Sequence, residues 1–182
     1  MARVTSGTGI GLGLRLLVLM RGSQVLRTPG GLEADPVYKN ILAAVDGTAH
    51  GTAVVDAVAS LAKLSGATVQ VIHIQPLQVV GGGLAPTSAV VSTEAEGDGR
   101  RVVDEALTRL RAAGVTAEGE VDDGLREDLA AILVERSQEL GSDLIAVGPG
   151  HYSGISALLH SSVARGVASI APVSVLLVHS EA

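Results

Sequence analysis

From residue 37 onward the chain alternates short runs of branched aliphatic residues with longer amphipathic stretches, and that alternation leaves few folds open. "NILAAVD" (residues 40–46) reads as a buried strand, and residues 48–65 place Val54, Val55, Val58, Leu61, Ala62 and Leu64 at helical spacing, with Gly66 as the cap. "ATVQVIHI" (67–74) alternates as a strand does, a helix spans 99–113 up to Gly114, and "VTAEGEV" (115–121) has the acidic outward positions of an edge strand. Residues 125–140 put Leu129, Ile132, Leu133 and Leu140 on one helical face before Gly141. "DLIAVG" (143–148) is a second buried strand, 161–170 a short helix, and "VSVLLV" (173–178) the last strand.

Strand and helix in strict alternation, joined by right-handed crossovers, predict an α/β fold: a doubly wound five-stranded parallel sheet with helices on both faces. Ligands of such sheets sit beyond the carboxyl ends of the strands, where the winding reverses. The two most apolar strands, 40–46 and 143–148, belong side by side at the centre. That brings Asp46 and the loop beginning at Gly148 to one crevice.

Composition narrows the classes. With 182 residues the chain suits one domain, taken as residues 37–182, preceded by a flexible extension over 1–36. It is 47% hydrophobic but only 1% aromatic, so the core must be built from Val, Leu, Ile and Ala, which fits layers of helix on parallel sheet. The absence of cysteine excludes disulfides and thiol chemistry and suits the cytoplasm. Residues 1–36 carry Arg3, Arg15, Arg21 and Arg27 against Glu33 and Asp35, so the remainder is more acidic than the overall −6 and is not expected to bind nucleic acid. "GIGLGLRLLVLM" (9–20) contains Arg15 and is shorter than the about twenty apolar residues of a membrane helix, so no integral membrane segment is expected. It has no clear signal-peptidase site after it. The long connection over 75–98 reads as either a functional lid or a disordered insert.

Few residues invite chemistry. Asp46, followed by Gly47 and Thr48, can accept ribose hydroxyls or can simply form a turn and cap the next helix. "GPGHYSGISALLHSSV" (148–163) joins a strand to a helix, where glycines and free backbone N–H groups gather anions. His151 and His160 match no metal-ligand spacing, His73 reads as a core histidine with its bonds satisfied, and His50 and His179 read as surface residues. Asp122 and Asp123 read as solvated turn acids, and Arg100 and Arg101 as ordinary surface charge. "GTGIGLG" near the N-terminus lacks the preceding strand of a dinucleotide fingerprint.

Three ordered segments, "NILAAVDGTAHGTAVVDAVASLAKLSGATVQVIHI", "GLREDLAAILVERSQELGSDLIAVG" and "SSVARGVASIAPVSVLLV", resemble the universal stress protein family over residues 37–180. The resemblance implies an adenine-nucleotide alpha-hydrolase-like fold, with Asp46 by the ribose, the backbone near Ile74 by the adenine, and Ala44 also among the nucleotide-binding residues. Gly148, Gly150, His151, Ser161, Ser162 and Val163 would then lie along the phosphates, with ATP and magnesium as ligands. Laid on the family's loop pattern, Gly148 keeps the first glycine and Ser162 the hydroxyl, whereas His151 and Ser161 replace the other two glycines. A Cβ at Ser161 and the bulk of His151 work against close phosphate approach. The reading preferred is a dimeric stress-response and interaction module that binds ATP weakly or not at all. Its rival is an ATP- or AMP-binding protein whose occupancy regulates partner binding. With no nucleophile–base pair and no Walker-loop lysine, enzymatic activity beyond a slow ATPase is not expected. The family's habit of pairing the last strand with its twin, and the apolar edge that strand would present, imply a homodimer through residues 173–178 alongside an unknown protein partner.

Overall fold

A computed structural model describes residues 16–19, 37–80, 89–125, 127–148 and 163–179. The chain order is β1 (Leu16–Leu19), β2 (Asn40–Ala44), α1 (Ala49–Ser65), β3 (Thr68–Val80), β4 (Ala89–Ser92), α2 (Asp98–Ala112), β5 (Ala117–Leu125), α3 (Leu129–Glu139), β6 (Leu144–Val147), α4 (Val163–Ile170) and β7 (Ser174–Val178). All five strands expected from the periodicity are present and parallel, in the order β7-β6-β2-β3-β5. Two short antiparallel strands are added: β1 beside β7, and β4 beside the end of β3.

The strands alternate between two cores. Ile41, Ala43, Val69, Val71, Leu144, Ala146 and Leu176 face α1 and α2, and Leu42, Ile72, Ile145, Val147 and Val175 face α3 and α4. A strand covered on both faces must be apolar at every position, which is why β2 and β6 read as unbroken aliphatic runs. Asp143 fixes their register, accepting from the backbone N–H of Lys39 at 2.8 Å and of Asn40 at 3.2 Å. Because α1 and α2 lie on one face and α3 and α4 on the other, the winding reverses between β2 and β6. Helix ends follow the glycines: Gly66, Gly114 and Gly141 all adopt positive φ.

Three expectations change. Residues 75–98 contain a hairpin, because β3 runs on to Val80 and β4 returns along it with Leu77 opposite Ser92 and Val80 opposite Ala89. Part of the N-terminal segment expected as a flexible tail, Leu16–Leu19, is a strand on β7, so the last strand is not an open edge within the chain. Leu64 points to solvent, 87% exposed, although its spacing put it with the apolar side of α1. Among the described residues no helix is long and apolar enough to cross a membrane.

Candidate functional site

The reversal point opens a cavity of about 130 Å³ beyond the carboxyl ends of β2 and β6. Its floor is Ala44, Ile72, Ile74 and Val147, its outer wall is Leu129 and Leu133 of α3 with Val163 of α4, and Asp46, Gly51 and Gly148 form the rim. The side chains come from the α3 and α4 face of the sheet by strict alternation: Ala44 continues the face of Leu42, and Ile74 that of Ile72. The result is an apolar slot with a single carboxylate at its mouth, suited to a flat heteroaromatic ring carrying hydroxyls.

Asp46 takes the turn-forming role and also stands at the rim of the cavity. Its Oδ1 accepts from the backbone N–H of Thr48 at 3.1 Å and from the Thr48 hydroxyl at 2.6 Å, an Asx turn that sharpens the exit from β2. Thr48 in turn caps α1, its Oγ1 accepting from the N–H of His50 and Gly51. The carboxylate stays exposed at the rim of the slot, and its Oδ2 takes no bond from another described residue, so it remains open to a ligand hydroxyl. Gly51 makes this arrangement fit. A Cβ there would lie 2.8 Å from Asp46 Oδ1 and 3.0 Å from the Asp46 backbone nitrogen.

Of the residues expected at a ligand, Ala44, Asp46, Ile74, Gly148 and Val163 border one cavity. Gly150, His151, Ser161 and Ser162 lie outside the described residues. Val45, Gly51, Ile72, Leu129, Leu133 and Val147 complete the lining without having been singled out for a ligand. Ile72 follows from alternation with Ile74 and the two leucines from the α3 periodicity, but a glycine within a helical run carries no signal until its neighbour is known.

The charged candidates resolve as structural pairs. Arg136 of α3 bonds Asp122 at 2.8 Å and Glu139 at 2.8 Å, so Asp122 lies within β5 as a partly buried ion-pair partner and is not a solvated turn acid. The bonds to Asp122 and then to Glu139 raise the guanidinium pKa above its ordinary value. Asp123, also in β5, is exposed. Arg100 pairs with Asp104, and Arg101 with Glu105 and Asp98, along the surface of α2. His73 is buried with both ring nitrogens engaged. His179 is exposed and His50 partly buried. Among the described residues no cluster of His, Asp and Glu could hold a metal ion.

Comparison with known proteins places this geometry. Residues 37–179 match the family described as Universal stress protein family. Universal stress protein A homolog 1 of Coxiella burnetii is 30% identical over 144 residues, spanning 78% of this chain and 96% of the relative. A solved universal stress protein in complex with cAMP superposes with a TM-score of 0.61 at 25% identity, covering 79% of this chain and 98% of its own. The universal stress protein of Archaeoglobus fulgidus in complex with dAMP gives a TM-score of 0.54 at 25% identity, covering 78% and 98%. From its βα order, its reversal point and these matches, the chain belongs to the universal stress protein family.

Proposed function

We propose that this protein is a nucleotide-responsive stress-response module that seats the base and ribose of an adenine nucleotide in the slot at Asp46 and holds the phosphates weakly. The observation that carries the reading is the shared cavity: an apolar floor from β2, β3 and β6 with one open carboxylate oxygen at its rim. The floor fits a purine face and Asp46 fits ribose hydroxyls. Two relatives of this fold are described in complex with cAMP and with dAMP, both adenine nucleotides. His151 and Ser161, standing where the family pattern has glycines, weaken the phosphate end. If ATP enters with magnesium, the metal rests on the phosphates and water, since no described acid cluster supports it.

The protein acts by changing what it contacts and not by turnover, as a cytoplasmic module of residues 37–182 with an N-terminal extension. Its homodimer forms through β7. Because β1 occupies the outer edge of β7 within the chain, the pairing requires β1 to leave or to exchange between copies. Calorimetry of AMP against Asp46→Ala tests the ligand reading. Loss of the charge-assisted bonds to the ligand should cost about 2 kcal/mol, roughly thirtyfold in affinity, while loss of the turn bonds to Thr48 lowers thermal stability modestly without unfolding the chain. Equal affinities for parent and variant would remove Asp46 from the site.

A further inference from the structure

His73 sits on the α1 and α2 face of β3, behind the cavity floor, and is 2% exposed. Its Nδ1 lies 2.8 Å from the carbonyl oxygen of Val45, and its Nε2 lies 2.8 Å from Oε2 of Glu94. A carbonyl oxygen and an ionised carboxylate are both acceptors only. Both contacts are hydrogen bonds only if the ring is doubly protonated, or if Glu94 carries the proton between them. In either case the pair holds one proton more than a neutral imidazole beside an ionised carboxylate.

The partners of this ring belong to two different parts of the molecule. Val45 lines the cavity. Glu94 stands at the foot of the β3–β4 hairpin, next to Thr93, whose N–H and hydroxyl both donate to the Pro76 carbonyl. The hairpin strands are otherwise thinly packed: Val79, Val80, Val90 and Val91 are all exposed. Leu77 pairs with Leu125 of β5 and with Ser92 of β4, so β4 lies on the β2 side of β3, beyond the end of β2 and toward the cavity mouth.

Among the described residues Glu94 is the one charged group bonded to the ring. Gly99 of α2 packs on it, with room for no side chain, since a Cβ there would be 2.8 Å from Cδ2. Asp98 and Arg101 of α2 pair with each other, and Arg100 pairs with Asp104. Val121 of β5 is the register neighbour, and the flanking Glu120 and Asp122 turn to Arg136 on the opposite face. Asp46 beyond Val45 is bonded to Thr48, and Glu96 on the connection is exposed.

We propose that His73 and Glu94 form a proton-operated latch that fastens the β3–β4 hairpin to the back wall of the cavity. With the extra proton bound, both contacts hold and the hairpin foot is tied down. When that proton is absent, Nδ1–H stays on the Val45 carbonyl and the Nε2 lone pair faces a carboxylate. The Glu94 side chain, 26% exposed, has a path outward to water, so the hairpin foot is released. The latch requires no nucleotide, so it and the ligand reading stand or fall separately.

Nuclear magnetic resonance of the full chain without nucleotide tests it, following the His73 ring nitrogens and the backbone amides of residues 89–94 through one pH titration. Loss of the shared proton should move the hairpin amides with the same midpoint. In Glu94→Gln, whose amide can donate to or accept from Nε2, the hairpin amides should stop following the ring while the fold persists. In Glu94→Ala they should sit at the released position throughout. Hairpin amides that ignore the His73 titration in the parent, or follow it equally in Glu94→Gln, would overturn the latch.

Discussion

Asp46 was legible in the sequence both as a turn former and as a residue of the crevice. Its place at the end of a buried run put it at the crevice, and the Thr two positions on made it a turn former; the turn engages Oδ1 and leaves Oδ2 without a bond from another described residue. Gly51 was not legible, since glycine inside a helical stretch reads only as a cost of about 1 kcal/mol against alanine. Its purpose is the close approach to Asp46. In Gly51→Ala the helix gains that increment while crowding costs about 1–3 kcal/mol, so stability measured in urea should change by no more than about 2 kcal/mol. Asp46 should be displaced all the same, and AMP affinity should fall severalfold. Unchanged affinity would mean that Asp46 can move aside without loss. Glu94 was equally hidden: nothing in the sequence ties an acid in a polar connection to a histidine 21 residues earlier.

At the scale of elements, periodicity located every parallel strand, but it does not say where an apolar face ends. Leu64 has the spacing of the α1 core residues yet lies in the last turn, past the neighbours that would cover it, whereas Leu110 near the end of α2 is fully buried. Leu110→Ala should cost about 3 kcal/mol in urea denaturation and Leu64→Ala within about 0.5 kcal/mol of nothing. Similar losses at the two sites would contradict the placement of these helices. The strand expected over 67–74 continues through Pro76 to Val80. The Pro76 carbonyl accepts from Thr93, so the proline nitrogen faces the same side, where β2 has already ended at Ala44 and β4 at Ser92, and the proline costs at most the reciprocal bond to Thr93 at the end of the ladder. Only tertiary neighbours decide such a case.

For the whole molecule, the alternation of strands and helices was enough to place the reversal between β2 and β6, because right-handed crossovers leave little choice once the central strands are known. The added β1 was not foreseeable, since a four-residue apolar run in an Arg-bearing segment has no periodicity of its own. It bears on the proposed assembly, because β1 occupies the edge of β7 that a second copy would need. Removing residues 1–36 should increase the dimer fraction in sedimentation relative to the full chain, and an unchanged distribution would mean that β1 does not guard that edge. The most direct measurement of the central claim is the affinity of adenosine, AMP and ATP for the same preparation. Binding through base and ribose with a weakened phosphate end requires all three to bind within about tenfold of one another, a spread of about 1.4 kcal/mol. ATP binding orders of magnitude more tightly than adenosine, or no binding of any of the three, would contradict it.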